Sequence, residues 1–311
     1  AIRYENSSQG IDVVFNYGLF SFNTPNFIFR FSLGETDYQL GATDYERFAA
    51  EYAFFGRSVW QQTLNLTDEE KTELIRLLQE NYRPENRVYR YNFFYDNCAT
   101  RPRDKIEESI AGKVIYPAEP QDGSLTFRDI VHQYCKGHPW ARFGIDLCIG
   151  SEADQPITQR QMMFAPFYLM DAFDGAQIKG DSIQRPLITA NELIVDATPE
   201  PDESDWMPTP LQCSLLLFIL TAAATIYGIR RRTGLWGIDL FLFGIAGIVG
   251  CVLAFLALFS QHPAVSSNFL LLVFHPGQLL FLPYIIYCVR KGKKCWYLTL
   301  NLAVLTLFIV L

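Results

Sequence analysis

The sequence predicts a mixed α+β domain followed by an α-helical transmembrane bundle. Short apolar and aromatic runs with strand-like and helix-like spacing fill residues 1–197, whereas residues 211–311 hold four long apolar runs. The chain has a net charge of −7, to which residues 211–311 contribute +6, so the preceding part carries −13. An acidic part joined to a basic, apolar one is typical of a membrane-anchored protein and argues against a nucleic-acid binder.

We divide the chain into a soluble domain over residues 1–197, a Pro-rich acidic linker over residues 198–210 and a membrane domain over residues 211–311. Each apolar run is long enough, or nearly long enough, to cross a hydrocarbon core of ~30 Å. The four predicted spans cover approximately residues 211–229, 235–259, 268–289 and 295–311.

Basic residues predict the orientation of these spans. The cluster RRR at 230–232 follows the first span and RKGKK at 290–294 follows the third, while the loop 261–267 has no Lys or Arg. Because loops rich in Lys and Arg stay on the cytoplasmic side, the acidic domain is expected on the outer side of the membrane.

The soluble domain opens on a predicted β-hairpin. Residues 1–4 have the pattern of a strand already under way, so we expect a segment before them, and residues 11–15 are its partner across a polar turn. An aromatic-rich strand and turn follow over residues 16–31. The amide of Asn16 needs a partner there, and it can either orient a catalytic imidazole or tie down the next turn.

Helical spacing then predicts two helices. The first covers residues 44–62, and the second runs to residue 81 after a capping box formed by Thr67 and Glu70. Further helices are predicted over residues 126–134 and 158–170, and one or two strands over residues 178–195.

The stretch YNFFYDNCATRPRD, residues 91–104, carries the predicted chemistry. Asp96 and Asn97 are good helix N-cap residues, so Cys98 falls where a helix begins. Backbone N–H groups and the positive end of the helix dipole stabilise a thiolate there, and the arginines of RPR add positive charge. We therefore interpret Cys98 as a nucleophile, the alternative being a buried structural cysteine at a strand-to-helix corner.

The other six cysteines predict no metal site. Four of them lie in the apolar runs, and none has metal-ligand spacing. Cys135 and Cys148 can pair as a disulfide in an oxidising compartment, which would leave Cys98 as the free thiol, or they can stay reduced and buried.

His132 and His138 are the only histidines before the apolar runs. Since a His on a short amphipathic helix is usually structural, the loop residue His138 is the better catalytic candidate of the two. Polar groups at or within a membrane usually serve a function or pair inside the bundle. His262, Asn268 and His275 are therefore candidates for lining a lipid or substrate cleft, with a helix-end His at the interface as the alternative.

Several motifs resemble the Lnb family of lipoprotein N-acyltransferases of Gram-negative bacteria. They are FNYGLFSF (15–22), LNLT (64–67), NYRPENR (81–87), YNFFYDNCATR (91–101) and the outer-loop His262-Pro with Asn268. The family's Gly-His-Thr/Ser element precedes the strand that opens here, so its catalytic histidine is expected immediately upstream of Ala1. The resemblance implies a permuted papain-like, NlpC/P60-related domain.

The resemblance also implies a thiol-dependent acyltransferase of the bacterial inner membrane with its catalytic domain in the periplasm. Cys98 would take a fatty acyl chain from a phospholipid as a thioester and pass it to the α-amine of a diacylglyceryl-cysteine lipoprotein. Backbone N–H groups at the start of the Cys98 helix would hold the oxyanion. No cofactor and no nucleic acid is implied. The residues expected to support the site are Asp96, Asn97, Arg101, Asn16 and Tyr17.

Two other classes remain open. A membrane-anchored NlpC/P60-like cysteine peptidase or amidase acting on cell wall would use the same Cys–His chemistry, but it needs only one anchoring span, so four spans argue against it. A non-enzymatic membrane assembly protein would use Cys98 only structurally.

Overall fold

The computed structural model describes residues 1–20, 25–117, 125–180, 184–197 and 207–310. By its internal contacts the chain forms two units, the first comprising Ala1–Ile130 with Pro156–Asp202 and the second Val131–Gln155 with Glu203–Leu311. Residues 198–206 of the predicted linker lie outside the described residues. The segment 131–155 groups with the apolar helices, whereas the sequence pattern places it in the soluble domain.

In the part of the first unit that the structure describes, the strands form three antiparallel sheets. In chain order the strands are β1 (Ile2–Asn6), β2 (Ile11–Leu19), β3 (Asp37–Asp44), β4 (Val59–Leu64), β5 (Val88–Arg90), β6 (Lys113–Ile115), β7 (Gln177–Lys179), β8 (Gln184–Pro186) and β9 (Ile188–Val195). The sheets have the strand orders β1-β2-β3-β5, β4-β9 and β6-β7-β8. The predicted N-terminal hairpin is confirmed, since β1 pairs with β2 in a register that places Ile2 opposite Phe15.

Eight α-helices accompany these strands within the described residues before position 207. They are α1 (Phe27–Ser32), α2 (Tyr45–Phe54), α3 (Asp68–Tyr82), α4 (Thr100–Ser109), α5 (Phe127–Tyr134), α6 (Pro139–Cys148), α7 (Gln159–Met162) and α8 (Pro166–Asp174). A buried cluster joins the sheets to α3 and α4 through side chains such as Phe15, Leu40, Leu78 and Ile106.

Three predicted elements differ from the structure. The helix expected over residues 44–62 ends at Phe54, because Gly56 takes a left-handed φ of +62° that terminates the helix, and strand β4 follows. The helix expected over residues 158–170 is divided into α7 and α8, because Pro166 occupies the first turn of the latter. The aromatic turn expected before residue 31 contains the short helix α1.

Glu70 is a buried carboxylate that joins several elements of the first unit. The predicted capping box is confirmed: the Thr67 N–H donates to Glu70 Oε2 at 2.8 Å, and the Glu70 N–H donates to Thr67 Oγ1 at 3.3 Å. Glu70 Oε1 also accepts from the Ala111 N–H at 3.1 Å, and Arg185 forms an ion pair with the same carboxylate. Since Glu70 is only 2% exposed, this carboxylate links α3 to the end of α4 and to β8.

Among its described residues, the second unit contains two helices long and apolar enough to span a membrane, α9 (Pro210–Arg231) and α10 (Trp236–Phe259). The third predicted span is not straight. Its first segment covers residues 269–280 and includes α11 (Gly277–Leu280), and its second segment is α12 (Leu282–Lys291). The two segments are bent by 72° relative to each other. Pro276 and Pro283 lie at this break and remove backbone donors there. The fourth apolar run forms the shorter helix α13 (Trp296–Val310).

We predict that Glu70→Ala lowers the free energy of unfolding by about 3–5 kcal/mol, because it leaves the Arg185 guanidinium without its buried counter-charge. Thermal unfolding of the full chain in detergent, monitored by intrinsic fluorescence, measures the loss of stability as a lower thermal midpoint. Glu69→Ala is the matched control, since Glu69 is exposed on the same turn and should change stability by no more than about 0.5 kcal/mol. Equal effects of the two substitutions would contradict the role given to Glu70.

Candidate active site

Cys98 lies in the turn immediately before α4, as the sequence predicts, and its side chain is half-buried. Asn97 closes this turn. Its Oδ1 accepts from the Ala99 N–H at 2.8 Å and from the Thr100 N–H at 3.0 Å, and its carbonyl accepts from the Arg101 N–H at 3.1 Å. Among the described residues, none accepts a hydrogen bond from the Cys98 N–H. This donor is therefore available at the positive end of the helix.

Asn97 is itself held from the opposite side. It is 3% exposed, and its Nδ2 donates to the carbonyls of Phe93 at 2.8 Å and Phe164 at 2.9 Å. The rings of Phe94, Phe127 and Phe164 pack together around this point, with centroid distances of 4.2 to 5.3 Å. All four hydrogen-bonding positions of the Asn97 amide are thus used to fix the turn that carries Cys98.

Asp96 and Arg101 form a bidentate ion pair beside the turn. Arg101 Nε and Nη2 each donate to an Asp96 carboxylate oxygen at 2.7 Å, and the guanidinium lies 3.7 Å from the centroid of the Tyr89 ring. Because Asp96 already neutralises the guanidinium, Arg101 fixes the turn rather than presenting an unpaired charge.

Gly18 packs directly against Cys98. The register of β2 against β3 shifts between residues 16 and 19, and Gly18 has a left-handed φ of +91° at this irregularity. A Cβ added at Gly18 would lie 3.1 Å from the Cys98 Cβ and 3.9 Å from its Sγ. The bulge therefore brings bare backbone against the thiol, a contact that a larger residue would obstruct. Sequence reasoning did not single out Gly18, although a glycine within a strand often marks such a close approach.

Three tyrosines surround the thiol on another side. Burial raises the pKa of Tyr91, and the electrostatic influence of the nearby Cys98 raises it further. The Tyr38 ring stacks on that of Tyr91 at a centroid distance of 4.1 Å, and Tyr89 lies 6.4 Å from Tyr91. Burial also raises the pKa of Tyr38 and Tyr89, and the electrostatic influence of Cys98 adds to the effect. These hydroxyls consequently stay protonated near neutral pH and can act as donors.

Tyr17 and Asn16 have separate environments. Burial raises the pKa of Tyr17 to about 12, and its hydroxyl donates to Asn81 Oδ1 at 2.9 Å. Asn81 Nδ2 in turn donates to the Asn86 carbonyl at 3.0 Å, so the NYRPENR motif supports the strand that carries Tyr17. Asn16 is half-buried at the edge of the bulge, opposite Gly41 of β3.

The start of β1 also reaches the thiol. The backbone nitrogen of Ala1 lies close enough to Cys98 to interact with it electrostatically. The hairpin register explains this position, because Ile2 pairs with Phe15 three residues before Gly18. The first strand, the bulge in β2 and the head of α4 thus lie near Cys98.

A row of aromatic rings leads away from Cys98. Beyond Tyr91 and Tyr38, the ring of Phe20 lies 4.8 Å from Tyr38, Phe27 lies 6.0 Å from Phe20, and Phe31 lies 6.0 Å from Phe27, between ring centroids. Phe20 is 41% and Phe31 46% exposed. This aromatic row, Tyr91 to Phe31, connects the thiol to the surface of the first unit with apolar side chains.

The polar residues predicted for a lipid cleft all lie in the second unit. Asn268 is 6% exposed, and its amide donates to the Leu147 carbonyl at 2.7 Å while accepting from the Leu270 N–H at 3.0 Å, so it closes the end of α6. His262 is half-buried in the loop after α10. His275 lies at the bent pair, where Gly250 permits its backbone to approach α10 closely.

The remaining candidates are also in the second unit. His132 Nε2 lies 2.7 Å from Asp146 Oδ1, whereas His138 is exposed at the start of α6. Cys135 and Cys148 are both free thiols, so the disulfide alternative is not realised. Within the described residues, no group of three or more His, Cys, Asp or Glu side chains is arranged to hold a metal ion.

Together these features define a membrane protein whose mixed α/β domain presents an accessible cysteine at the head of a helix. Residues 1–132 match the family model described as the Lnb N-terminal periplasmic domain, and residues 202–311 match the Lnb transmembrane domain. The chain belongs to the Lnb family, and both domains fit the Lnb type of lipoprotein N-acyltransferase. No curated protein and no solved structure gave a match.

The first prediction for this site concerns Gly18. Gly18→Ala should slow alkylation of Cys98 by iodoacetamide roughly tenfold or more, equivalent to about 1.4 kcal/mol, because the added methyl displaces the thiol. Peptide mass spectrometry measures labelling at Cys98. Gly10→Ala is the control, since Gly10 also has a positive φ, +64°, but has no atom within 4 Å of an added Cβ. Similar slowing in both variants would attribute the effect to backbone strain and contradict direct packing.

The second prediction concerns Tyr91. Tyr91→Phe removes a hydroxyl that interacts electrostatically with Cys98 and could donate to its thiolate, and a hydrogen bond to a charged group contributes about 1.5–3 kcal/mol. Alkylation of Cys98 at pH 7 should therefore slow by at least about tenfold. Tyr38→Phe keeps the ring that stacks on Tyr91 and removes the hydroxyl of the next ring along the aromatic row, so it should change the rate less than threefold. A larger effect at Tyr38 than at Tyr91 would refute this assignment.

Proposed function

We propose that this protein is a thiol-dependent lipoprotein N-acyltransferase of the bacterial inner membrane, with its catalytic domain in the periplasm. Cys98 accepts a fatty acyl chain from a phospholipid and passes it to the α-amine of a diacylglyceryl-cysteine lipoprotein. The observation that carries the proposal is the half-buried Cys98 at the head of α4, which interacts electrostatically with Tyr91 and packs on the backbone of Gly18.

In the first step the Cys98 thiolate attacks the carbonyl carbon of a phospholipid ester. A C–S bond forms, the ester C–O bond breaks, and the lysophospholipid oxygen leaves with a proton from the general acid. In the second step the lipoprotein amine attacks the thioester, a C–N bond forms, and the C–S bond breaks to regenerate the thiolate. The base takes the proton released by the amine.

The general base in this proposal is a histidine immediately upstream of Ala1. Support comes from β1, which places the backbone nitrogen of Ala1 within electrostatic range of Cys98. A residue preceding this strand would therefore lie beside the thiol. A base on an early strand and a cysteine on a later helix would also give the permuted papain-like arrangement.

The Cys98 N–H is the best placed oxyanion donor. Asn97 occupies the next two N–H groups, of Ala99 and Thr100, so these two cannot also serve an oxyanion. The positive end of α4 adds to the stabilisation of the negative oxygen. Tyr91, which keeps its proton, supplies a second donor beside the sulfur.

The aromatic row provides a path for the acyl chain. Its rings run from Tyr91 beside the thiol to exposed Phe31, so an alkyl chain attached to Cys98 could lie against apolar surface over this distance. The same rings keep water from the thioester, which favours aminolysis over hydrolysis.

The test is mass spectrometry of the full-length protein incubated with a phospholipid that carries palmitoyl chains. We expect a palmitoyl adduct on Cys98 that is removed by a diacylated lipopeptide with a free amine, which becomes N-acylated. Cys98→Ser should lower transfer by about 10⁴-fold or more. Cys148→Ser, at a half-buried thiol of the second unit, should leave it unchanged.

Two other outcomes would contradict the proposed acyltransferase activity. Removal of the adduct by water or by a muropeptide, without lipopeptide acylation, would identify a hydrolase of the cell-wall type. Failure to form any adduct in the full-length protein would exclude the thioester mechanism.

A further inference from the structure

A cavity of about 410 Å³ lies in the second unit between the end of α5 and the start of α6. Its lining includes two side chains that are cationic at neutral pH, Lys136 and Arg142, together with His132, and contains no acidic residue. Gly137 and Pro139 also line the cavity at the first turn of α6, where the helix dipole is positive. The cavity is therefore suited to an anionic group.

Asp146 contacts two of the lining side chains, His132 and Arg142. It accepts from His132 Nε2 at 2.7 Å and lies 3.7 Å from Arg142 Nε. The Arg142 side chain is still 53% exposed, and Lys136 has no ion-pair partner within the described residues. Both cations can thus turn toward a ligand without first breaking a buried salt bridge.

The position of α6 along the membrane helices identifies the source of such an anion. Trp140 Nε1 donates to the Pro208 carbonyl at 3.0 Å, two residues before α9 begins. The other end of α6 is bonded to the loop that follows α10. Asn268 donates to the Leu147 carbonyl, and the N–H groups of residues 150 and 151 donate to carbonyls of that loop. Helix α6 therefore lies where α9 enters the membrane and α10 leaves it.

This level of the bilayer is the headgroup region. Residue 210 follows the periplasmic domain in the chain, so the start of α9 faces the periplasm, and α9, with 22 residues, is about 33 Å long and can cross the hydrocarbon core. The α6 side chains Trp140 and Phe143 are 45% and 42% exposed, as is typical of aromatic residues at a membrane interface. A phosphate at this depth belongs to a lipid.

We infer that the cavity between α5 and α6 binds the phosphodiester of a phospholipid in the periplasmic leaflet, through Lys136 and Arg142. An Arg guanidinium can engage two phosphate oxygens at once, and Lys136 supplies a point charge. This inference rests on the proposed function in one respect: the bound phospholipid would be the acyl donor. Binding of the phosphate would distinguish the donor phospholipid from the acceptor, because the acceptor's diacylglyceryl group carries no phosphate.

The test measures lipid binding without turnover, in the full chain carrying Cys98→Ser in detergent micelles. Three probes are titrated by microscale thermophoresis: dihexanoyl phosphatidylglycerol, dihexanoylglycerol and inorganic phosphate. The variant Lys136→Ala/Arg142→Ala should weaken binding of the phospholipid at least tenfold and leave binding of dihexanoylglycerol unchanged. Because both side chains are exposed, the fold should be retained, which the thermal midpoint verifies.

Lys113→Ala, at an exposed lysine on β6, is the matched control and should bind all three probes like the parent. Unchanged phospholipid affinity in the double variant, or an equal loss for dihexanoylglycerol, would overturn the inference. Inorganic phosphate that competes at the same concentration as the phospholipid would show a free-anion site and would also overturn it. Since no acyl transfer is measured, the result is independent of whether Cys98 forms a thioester.

Discussion

The structure of the first unit depends on the hydrogen bonds of one buried amide. Asn97 joins the carbonyls of Phe93 and Phe164 to the first N–H groups of α4, and so fixes the orientation of Cys98 between an aromatic cluster and a helix. A side chain without both donors and acceptors could not satisfy all of these groups in a buried position. The reactivity proposed for Cys98 therefore begins with a structural residue beside it.

The surroundings of Cys98 combine a polar contact with apolar enclosure. Tyr91 interacts electrostatically with Cys98 while its ring stacks on Tyr38, so one residue places a hydroxyl near the thiol and begins the aromatic row. Gly18 contributes through the absence of a side chain, because the bulge in β2 brings backbone to the sulfur. These contacts suit a nucleophile whose substrate carries a long alkyl chain and whose intermediate must be kept from water.

The second unit is more than an anchor. Segment 131–155 is joined by backbone hydrogen bonds to the loop after α10, where Gly150 lies so close to Ser267 that an added Cβ would be 2.6 Å from its backbone. The bent pair of helices interrupts the third apolar run, and Gly247 and Gly250 of α10 allow it to pack closely. A cavity lined by Lys136 and Arg142 lies beside α6 of this unit.

The sequence by itself determined the elements whose signals are local. The hairpin of β1 and β2, the capping box of Thr67 and Glu70, the position of Cys98 at a helix start and the two long apolar helices all follow from short-range patterns and were confirmed. Tertiary structure decided what depends on residues distant in the chain. Gly18, Tyr38 and Tyr91 meet Cys98 only because strand pairing and a bulge bring them there, and periodicity along the chain carries no information about such contacts. The break in the third span and the grouping of residues 131–155 with the membrane helices likewise depend on packing between separate segments.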